Sequence, residues 1–319
     1  MNTLADNTHM PMSSVLNGIS PLPHLGVIQA QGEDAAHFLH NQLSNDVLLL
    51  PVGQARLAAF CSAKGRMQAS FIVIKTAPDT VLLVTSLDLL AQTLKRLSMF
   101  VLRAKVKMTD ATAQWQLRGL LGDRAVAVVG RLAAWQTVAA DGVHAVALYS
   151  AVAGEVQVPR ALWLAPQGHA LPAGAEVSSG VWQWAEVMSG VTLVTQPVFE
   201  AFVPQMLNYE SVGGVNFKKG CYPGQEVVAR SQFRGTLKRR TALVHSPVAL
   251  STGQDVFTPT EPEQPCGNVV LCAARPDGHG FDALVSGTLQ SMPTGWRAGD
   301  AQGPALDLLP LPYVLLEDI

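Results

Sequence analysis

Residues 216–240 read NFKKGCYPGQEVVARSQFRGTLKRR, and this stretch carries seven of the 22 lysines and arginines of the chain against one acid, Glu226. Of all 319 residues only 14 % are charged, and the net charge at pH 7 is −2. In a chain so poor in charge, a basic cluster indicates either an anionic partner, such as a carboxylate, a phosphate or a nucleic acid, or a set of buried ion pairs. The basic residues are Lys218, Lys219, Arg230, Arg234, Lys238, Arg239 and Arg240.

Cys221 lies in this stretch, just before a predicted helix. Pro223 suits the first turn of a helix, because its φ is fixed and it has no amide hydrogen to leave unpaired. The helix N terminus and the two preceding lysines both favour the thiolate of Cys221 over its thiol. Glu226 opposes this effect unless it pairs with Arg230, four residues further on. We predict a reactive, accessible thiolate, and a buried, inert cysteine in a glycine-rich turn is the alternative.

The composition excludes several classes of protein. Hydrophobic residues make up 48 % of the chain, and with so little charge this excludes intrinsic disorder. Every apolar run is interrupted before the length of about 18 residues that a membrane span needs. No basic residue precedes Arg56, so the N terminus has neither the positive region of a secretory signal nor the arginine-rich face of a transit peptide. The four cysteines form no disulfide or metal pattern, and we predict a cytoplasmic protein.

Strand-like and helix-like segments interleave in the first half of the chain and predict a mixed α+β domain. LGVIQA is a predicted strand, GEDAAHFLHNQLSND a helix, and the two apolar runs around Ala63-Lys64-Gly65 a hairpin. From Thr241 onward, short β-like runs separated by Gly, Pro and Asp predict a small barrel or sandwich. The predicted organisation is a flexible tail at 1–20, a main domain at 21–240, divisible into 21–112 with 176–240 and 113–175, and a C-terminal β domain at 241–319.

The segment KGCYPGQE, residues 219–226, resembles the signature of the YgfZ family of folate-binding proteins, and its flanks VPQMLNYESVGGVNFKKG and VVARSQFRGTLKRR agree with that family. The segments GEDAAHFLHNQLSNDV, AAFCSAKGRM and LPLPYVLLED extend the resemblance over most of the chain. The family is similar in fold to the T-protein of the glycine cleavage system, an aminomethyltransferase. The resemblance therefore implies an α+β folate-binding domain around a central cavity, followed by a small C-terminal β-barrel.

The resemblance also implies a function. It indicates a cytoplasmic bacterial protein that binds tetrahydrofolate or a one-carbon derivative, supports the assembly or repair of iron–sulfur enzymes, and thereby affects tRNA modification. The expected partners are iron–sulfur client or assembly proteins, with no membrane. Direct nucleic-acid binding is less favoured, because only Tyr222 and Phe233 interleave with the basic residues. Such a protein is an accessory factor rather than a conventional enzyme. A folate-dependent aminomethyl or one-carbon transferase and a non-catalytic docking module with a basic strip are the alternatives.

The resemblance assigns the functional thiol to Cys221, and we expect Lys219 to tune it. We expect Arg230 and Arg234 to hold the helix and to neutralise Glu226 or ligand carboxylates.

The expected folate-binding residues are polar or aromatic side chains in and before the signature, together with one lone cation in an apolar stretch. They are Gln205, Asn208, Tyr222, Gln225, Glu226, Arg230 and Arg103. Several have a structural alternative. Gln205 and Asn208 can cap their own loop, Arg103 can pair with an internal acid, and Tyr222 can pack beside the glycine turn instead of stacking on a ring.

Two positions depart from the pattern of the related proteins. The glutamate that usually stands two residues before the glycine, here Gly190, is replaced by Met188, which cannot pair with the donors of a pterin ring. Glu186 lies two positions earlier, which turns it about 200° away around a helix. Asp46 lies in the region of the T-protein's catalytic aspartate, and a place in a loop explains it equally well.

No metal site is predicted. His37 and His40 stand three residues apart on a predicted helix, but no third or fourth ligand accompanies them at zinc-like spacing. A solvent-facing helix surface is the preferred interpretation of this pair. Cys266 and Cys272 fall in β-like runs and are predicted core residues. The chain lacks the four-thiolate set of a permanently bound iron–sulfur cluster.

Overall fold

Two five-stranded antiparallel sheets and a closed six-stranded barrel form the strand framework of the computed structural model, which describes residues 15–233 and 237–316. In spatial order, the first sheet contains β1 (Gly18–Pro21), β7 (Trp115–Leu121), β10 (Val156–Pro166), β9 (Val143–Ala153) and β8 (Thr137–Ala140). The second sheet contains β3 (Ala55–Cys61), β4 (Met67–Ala77), β5 (Thr80–Ser86), β2 (Leu25–Gln31) and β6 (Lys107–Asp110). The barrel contains β11 (Arg239–Ser246), β14 (Phe281–Thr288), β13 (Gly267–Ala274), β12 (Asp255–Phe257), β15 (Trp296–Ala298) and β16 (Ala305–Leu309).

The helices cover these sheets and join them to the barrel. They are α1 (Ala35–His40), α2 (Leu87–Met99), α3 (Asp123–Val129), α4 (Ser179–Met188) and α5 (Gln225–Phe233). Within this part of the chain, no helix is long and apolar enough to cross a membrane.

The second sheet is buried on both faces. Leu90 and Leu97 of α2 pack in one apolar cluster with Phe71 of β4. Because strand residues alternate between the two faces of a sheet, Val84 of β5 lies in a different cluster, with Leu162 of the first sheet. The main core therefore lies between the two sheets.

Helix α4 lies where the two sheets meet the barrel. The side chain of Ser178 accepts a hydrogen bond from the N–H of Val181 at 3.3 Å and caps the helix. The indole N–H of Trp184 donates to Asp282 of β14 at 2.7 Å, so the helix is attached to the barrel by a buried bond.

The first predicted helix is shorter than its sequence pattern indicated. It ends at His40, and the chain then turns so that the N–H of Ser44 bonds to the carbonyl of Ala59 at 2.9 Å. The Ser44 hydroxyl donates to the carbonyl of Gly214 at 2.6 Å, and the Asn45 amide donates to two further carbonyls. Short polar side chains that bond the backbone in this way compete with helix formation.

The predicted α+β fold with a C-terminal barrel is confirmed. Strand β11, the first strand of the closed barrel along the chain, begins at Arg239. Strand β1 begins at Gly18, inside the segment predicted as a tail, because this strand pairs with β7 of the first sheet. The first fourteen residues of that tail, and Arg234 of the basic stretch, lie outside the described residues.

Candidate functional site

The signature loop, residues 219–226, is held against the turn between β3 and β4. Gly224 has a φ of +78°, and a β-carbon there would lie 2.6 Å from the Cα of Gly65 and would also meet the carbonyl oxygen of Ser62. Helix α5 begins at Gln225, directly after this positive φ. The prediction that the helix begins at Pro223 is wrong, because Gly224 does not have a helical conformation. Glycine is therefore required at this contact by both space and backbone geometry.

The side chain of Lys219 anchors the other end of the loop. Its ammonium donates hydrogen bonds to the carbonyl oxygen of His40, the last residue of α1, and to that of Leu43, at 2.8 Å. The same nitrogen lies 4.8 Å from the centre of the Tyr222 ring, within the range of a cation–π contact. The loop is therefore fixed on the C-terminal end of α1, where carbonyl groups favour a cation.

The charges around the loop are set by burial and by their neighbours. Burial lowers the pKa of Lys219 to about 8, although Asp46 and Cys221 act in the opposite direction. The Nδ1 atom of His40 lies 3.1 Å from Asp46 Oδ1, and burial together with the charge of Lys219 lowers the pKa of His40. Burial alone would raise the pKa of Asp46, but the N–H of Leu49 and the His40 ring hold it below its ordinary value.

Cys221 is exposed, as predicted, and follows the point where the loop touches α1. A β-carbon at Gly220 would lie 3.6 Å from Nε2 of His40. The structure thus places Cys221 and Lys219, the predicted functional thiol and the lysine expected to tune it, close to His40 and Asp46. The sequence offered no pattern for this group, because six residues separate His40 from Asp46 and 179 separate His40 from Lys219.

Lys219→Met is expected to slow alkylation of Cys221 about fivefold at neutral pH, because the substitution removes a positive charge beside the reacting sulfur. With a pKa of about 8, Lys219 is charged below that pH and neutral above it, so the difference from the wild type should shrink as the pH rises through 8. The measurement is the rate of iodoacetamide labelling at Cys221 by mass spectrometry. Lys95→Met, on the exposed face of α2, is the control, and equal rates in folded protein at neutral pH would contradict the prediction.

The remaining signature residues differ in exposure. Tyr222 is buried and its ring lies under Lys219, so it packs in the loop rather than presenting a free face. Gln225 is half-buried at the start of α5. Glu226 and Arg230 are both exposed, and the described contacts include no ion pair between them. The expected ion pair between Arg230 and Glu226 is therefore not formed.

Gln205 and Asn208 are fully buried and bond to the backbone. The Gln205 amide donates to the carbonyl of Val228 in α5 at 2.7 Å, and the Asn208 amide donates to the carbonyl of Thr241 in β11 at 2.8 Å. They join the loop before the signature to the helix and to the barrel, rather than only capping their own loop. Arg103 lies exposed between α2 and β6, and the structure does not bring it to the signature loop.

A small cavity lies between the two sheets and α4. It has room for only a few water molecules, about 60 Å³, and its wall is largely apolar. Polar groups enter the wall from Arg160, Glu186, Tyr149, Ser189 and Thr192. Arg160 is 4 % exposed, and its Nε and the hydroxyl of Thr192 are buried without a hydrogen-bond partner. Orphaned buried polar atoms of this kind indicate a polar ligand or ordered water.

Arg160 and Glu186 form the charged pair of this cavity. The guanidinium lies 3.8 Å from the Glu186 carboxylate and 4.5 Å from the centre of the Trp182 ring, and burial lowers the pKa of Arg160 to about 10 while Glu186 opposes that shift. Met188 lines a different hollow, beside the barrel. Arg160 was missed, although it shows the signal that selected Arg103, a lone cation in an apolar run, here VPRALWLAP.

Some basic residues of the stretch 216–240 are buried in the protein, and others remain exposed to an anionic partner. Arg240 is buried in an ion pair with Glu210, and its guanidinium also donates to the carbonyl of Leu316 at 2.7 Å. Lys219 is buried as well, whereas Lys218 and Arg230 are exposed. A continuous basic strip is therefore not formed, since part of the charge is used inside the protein.

The other candidate ligand residues lie apart. His37 is exposed on α1, Cys266 is buried in the barrel, and Cys272 is half-buried there. Over the described ranges, no group of three or more His, Cys, Asp or Glu side chains is arranged to hold a metal ion.

Comparisons with known proteins agree with this architecture. A family model described as the GCVT N-terminal domain matches residues 14–162. The "tRNA-modifying protein YgfZ" of Sodalis glossinidius is 26 % identical to the chain over 98 % of this sequence and 96 % of its own. The protein of the same name from Colwellia psychrerythraea is 28 % identical over 70 % of each sequence.

A solved structure shares the fold. The crystal structure of glycine cleavage system aminomethyltransferase T from Bartonella henselae superposes with a TM-score of 0.66, covering 95 % of this chain and 88 % of that one, at 15 % sequence identity. Similarity at this level of identity shows a shared fold. Together with the family model and the relatives, one of which matches nearly end to end, it shows that the chain is similar to YgfZ proteins and shares the fold of the glycine cleavage T-protein.

Proposed function

We propose that this protein is a tetrahydrofolate-binding accessory factor for the assembly or repair of iron–sulfur enzymes, with Cys221 as its reactive group. The observation that carries the proposal is an exposed thiol on a loop that is fixed at both ends, by Lys219 on one side and Gly224 on the other. The names of the relatives support a link to tRNA modification. Because such modification can depend on iron–sulfur enzymes, the link is expected to be indirect.

The other three cysteines do not offer such a thiol. Burial raises the pKa of the Cys61 thiol to about 12 and raises those of Cys266 and Cys272. Thiols with raised pKa values are mostly protonated at neutral pH and react slowly. Of the four cysteines, all within the described ranges, Cys221 is the exposed one.

The chemistry of the central cavity fits a folate ring. The carboxylate of Glu186 can accept from the ring's amino and N3–H donors, and the unpartnered Nε of Arg160 and hydroxyl of Thr192 can bond its carbonyl edge. The cavity has room for a few water molecules, about 60 Å³, and we expect its walls to part as the ring enters. When bound, a tetrahydrofolate supplies a carrier of one-carbon units.

The two halves of this proposal are tested with two variants in the same assays. Cells whose only copy carries Cys221→Ala are expected to show the iron–sulfur enzyme activity of cells that lack the protein, most clearly under oxidative stress. The purified variant should keep the thermal stabilisation given by tetrahydrofolate. Glu186→Gln should lose that stabilisation, because a neutral amide cannot accept from both ring donors, while its Cys221 still reacts with iodoacetamide.

Controls make the outcome specific. Cys272→Ala, a cysteine of the barrel, should retain full activity, and immunoblots should show equal protein levels. Full activity of Cys221→Ala would reject the role of the thiol, and unchanged stabilisation of Glu186→Gln would reject the folate site in the cavity. Turnover of a methylene- or formyl-tetrahydrofolate with an amine acceptor would support the transferase alternative instead.

A further inference from the structure

A groove of about 560 Å³ opens on the surface beside the signature loop. The rings of Phe217 and Phe233 form one wall, with centroids 5.3 Å apart in an edge-to-face arrangement, and Phe233 is 52 % exposed. The groove is formed by Asn45, Arg56, Gly213, Val215, Asn216, Phe217, Lys218 and Phe233. An exposed aromatic ring over a groove of this size offers a flat face to a planar ligand.

The charge at the groove is positive. Arg56 and Lys218 line it, and neither forms an ion pair with a carboxylate in the part of the chain that the structure describes. The charge of Arg56 helps to lower the pKa of the Asp46 carboxyl. The hydrogen-bond partners of Asp46, however, are His40 and the N–H of Leu49. Two cations thus remain available to an anion in the groove.

The positive charge continues along α5. Arg230 is exposed and lies three residues before Phe233, and residues at this spacing share one face of a helix. The nearest acid on that helix, Glu226, is one further turn away and forms no ion pair. A third exposed cation outside the groove, in addition to the two that line it, fits several phosphates better than a single one.

We propose that this groove binds a nucleotide of single-stranded RNA, with the base stacked on Phe233 and the adjoining phosphates held by Arg56, Lys218 and Arg230. Aromatic faces beside a positively charged groove are the general means by which proteins bind single strands without reading their sequence. The proposal is independent of Cys221 and of the cavity. It places the RNA contact on the surface next to the reactive thiol, three residues along the chain from Lys218.

The test is the binding of fluorescein-labelled octauridylate, measured by fluorescence anisotropy at several salt concentrations. Phe233→Ala is expected to raise the Kd about fivefold or more through lost stacking. Phe233→Leu keeps an apolar contact with Phe217 but removes the flat ring, and the same loss is expected from it. Arg56→Ala with Lys218→Ala should reduce the slope of log K against log salt by about 1.4, since two phosphate contacts are lost.

Matched controls are on α2 and directly after it, and none of them lines the groove. Phe100→Ala removes an aromatic residue that is 43 % exposed at the end of α2, and Lys95→Ala with Arg96→Ala removes two exposed cations there. Both are expected to bind as the wild type does, and so is Cys221→Ala. The proposal is overturned if the wild type does not bind at low salt, or if the groove variants bind like these controls. If free uridine monophosphate or an RNA duplex bound with the same affinity as octauridylate, the proposal that the groove binds single-stranded RNA would be overturned.

Discussion

Glu210→Ala is expected to lower the free energy of unfolding by about 3–5 kcal/mol, because it leaves a buried guanidinium without its partner. The side chains of Arg240 and Glu210 are 7 % and 0 % exposed, and they form an ion pair. Arg240 also donates to the carbonyl of Leu316 at 2.7 Å, while the N–H of Leu316 donates to Ser211 at 3.0 Å. One ion pair thus connects the barrel, the loop after Asn208 and the C-terminal segment.

Urea denaturation followed by circular dichroism measures this loss. Glu33→Ala removes the acid of a solvent-exposed pair with Lys105, in which both side chains are more than half exposed. Such pairs contribute at most about 1 kcal/mol, so this variant is the matched control. Glu210→Gln retains an acceptor for the guanidinium and should fall between the two. A Glu210→Ala midpoint equal to that of the control would show that Arg240 finds water or another partner.

Gly224→Ala is expected to destabilise the protein by about 2–5 kcal/mol and to displace Cys221. A β-carbon at this position would overlap the backbone of Gly65 and Ser62, and an alanine at a φ of +78° carries its own cost of about 1–2 kcal/mol. Relief of the overlap requires the signature loop to move away from the β3–β4 turn. The rate of alkylation at Cys221 should therefore change together with the stability.

Gly278→Ala separates the two contributions. Gly278 has nearly the same φ, +77°, but no atom lies within 4 Å of the position that its β-carbon would take. This variant should show the backbone cost alone, about 1–2 kcal/mol, and unchanged labelling of Cys221. If Gly224→Ala proved no more destabilising than Gly278→Ala, the close contact of the two glycines would not hold the loop.

The reactive part of the candidate site was predictable because its signals are local. A cysteine between two glycines, preceded by lysines and followed by a helix, occupies consecutive positions, so chemistry and spacing are visible together. The start of that helix was misplaced by two residues, because Pro223 is compatible with a helix whereas the positive φ of Gly224 comes from contact with Gly65. His40 and Asp46 were not predicted as neighbours of Lys219, because a contact across 179 residues has no local pattern.

The sequence by itself determined the class of the fold, the C-terminal barrel and the signature segment, since each of these follows from periodicity, turn residues or consecutive chemistry. Only the tertiary structure decided which polar side chains are available to a ligand. Gln205 and Asn208 resemble binding residues in the sequence, yet they are buried against backbone carbonyls of α5 and β11. Arg160 and Glu186 instead face the cavity. The burial and orientation of a side chain depend on how distant segments pack together, and this packing cannot be deduced from one segment alone.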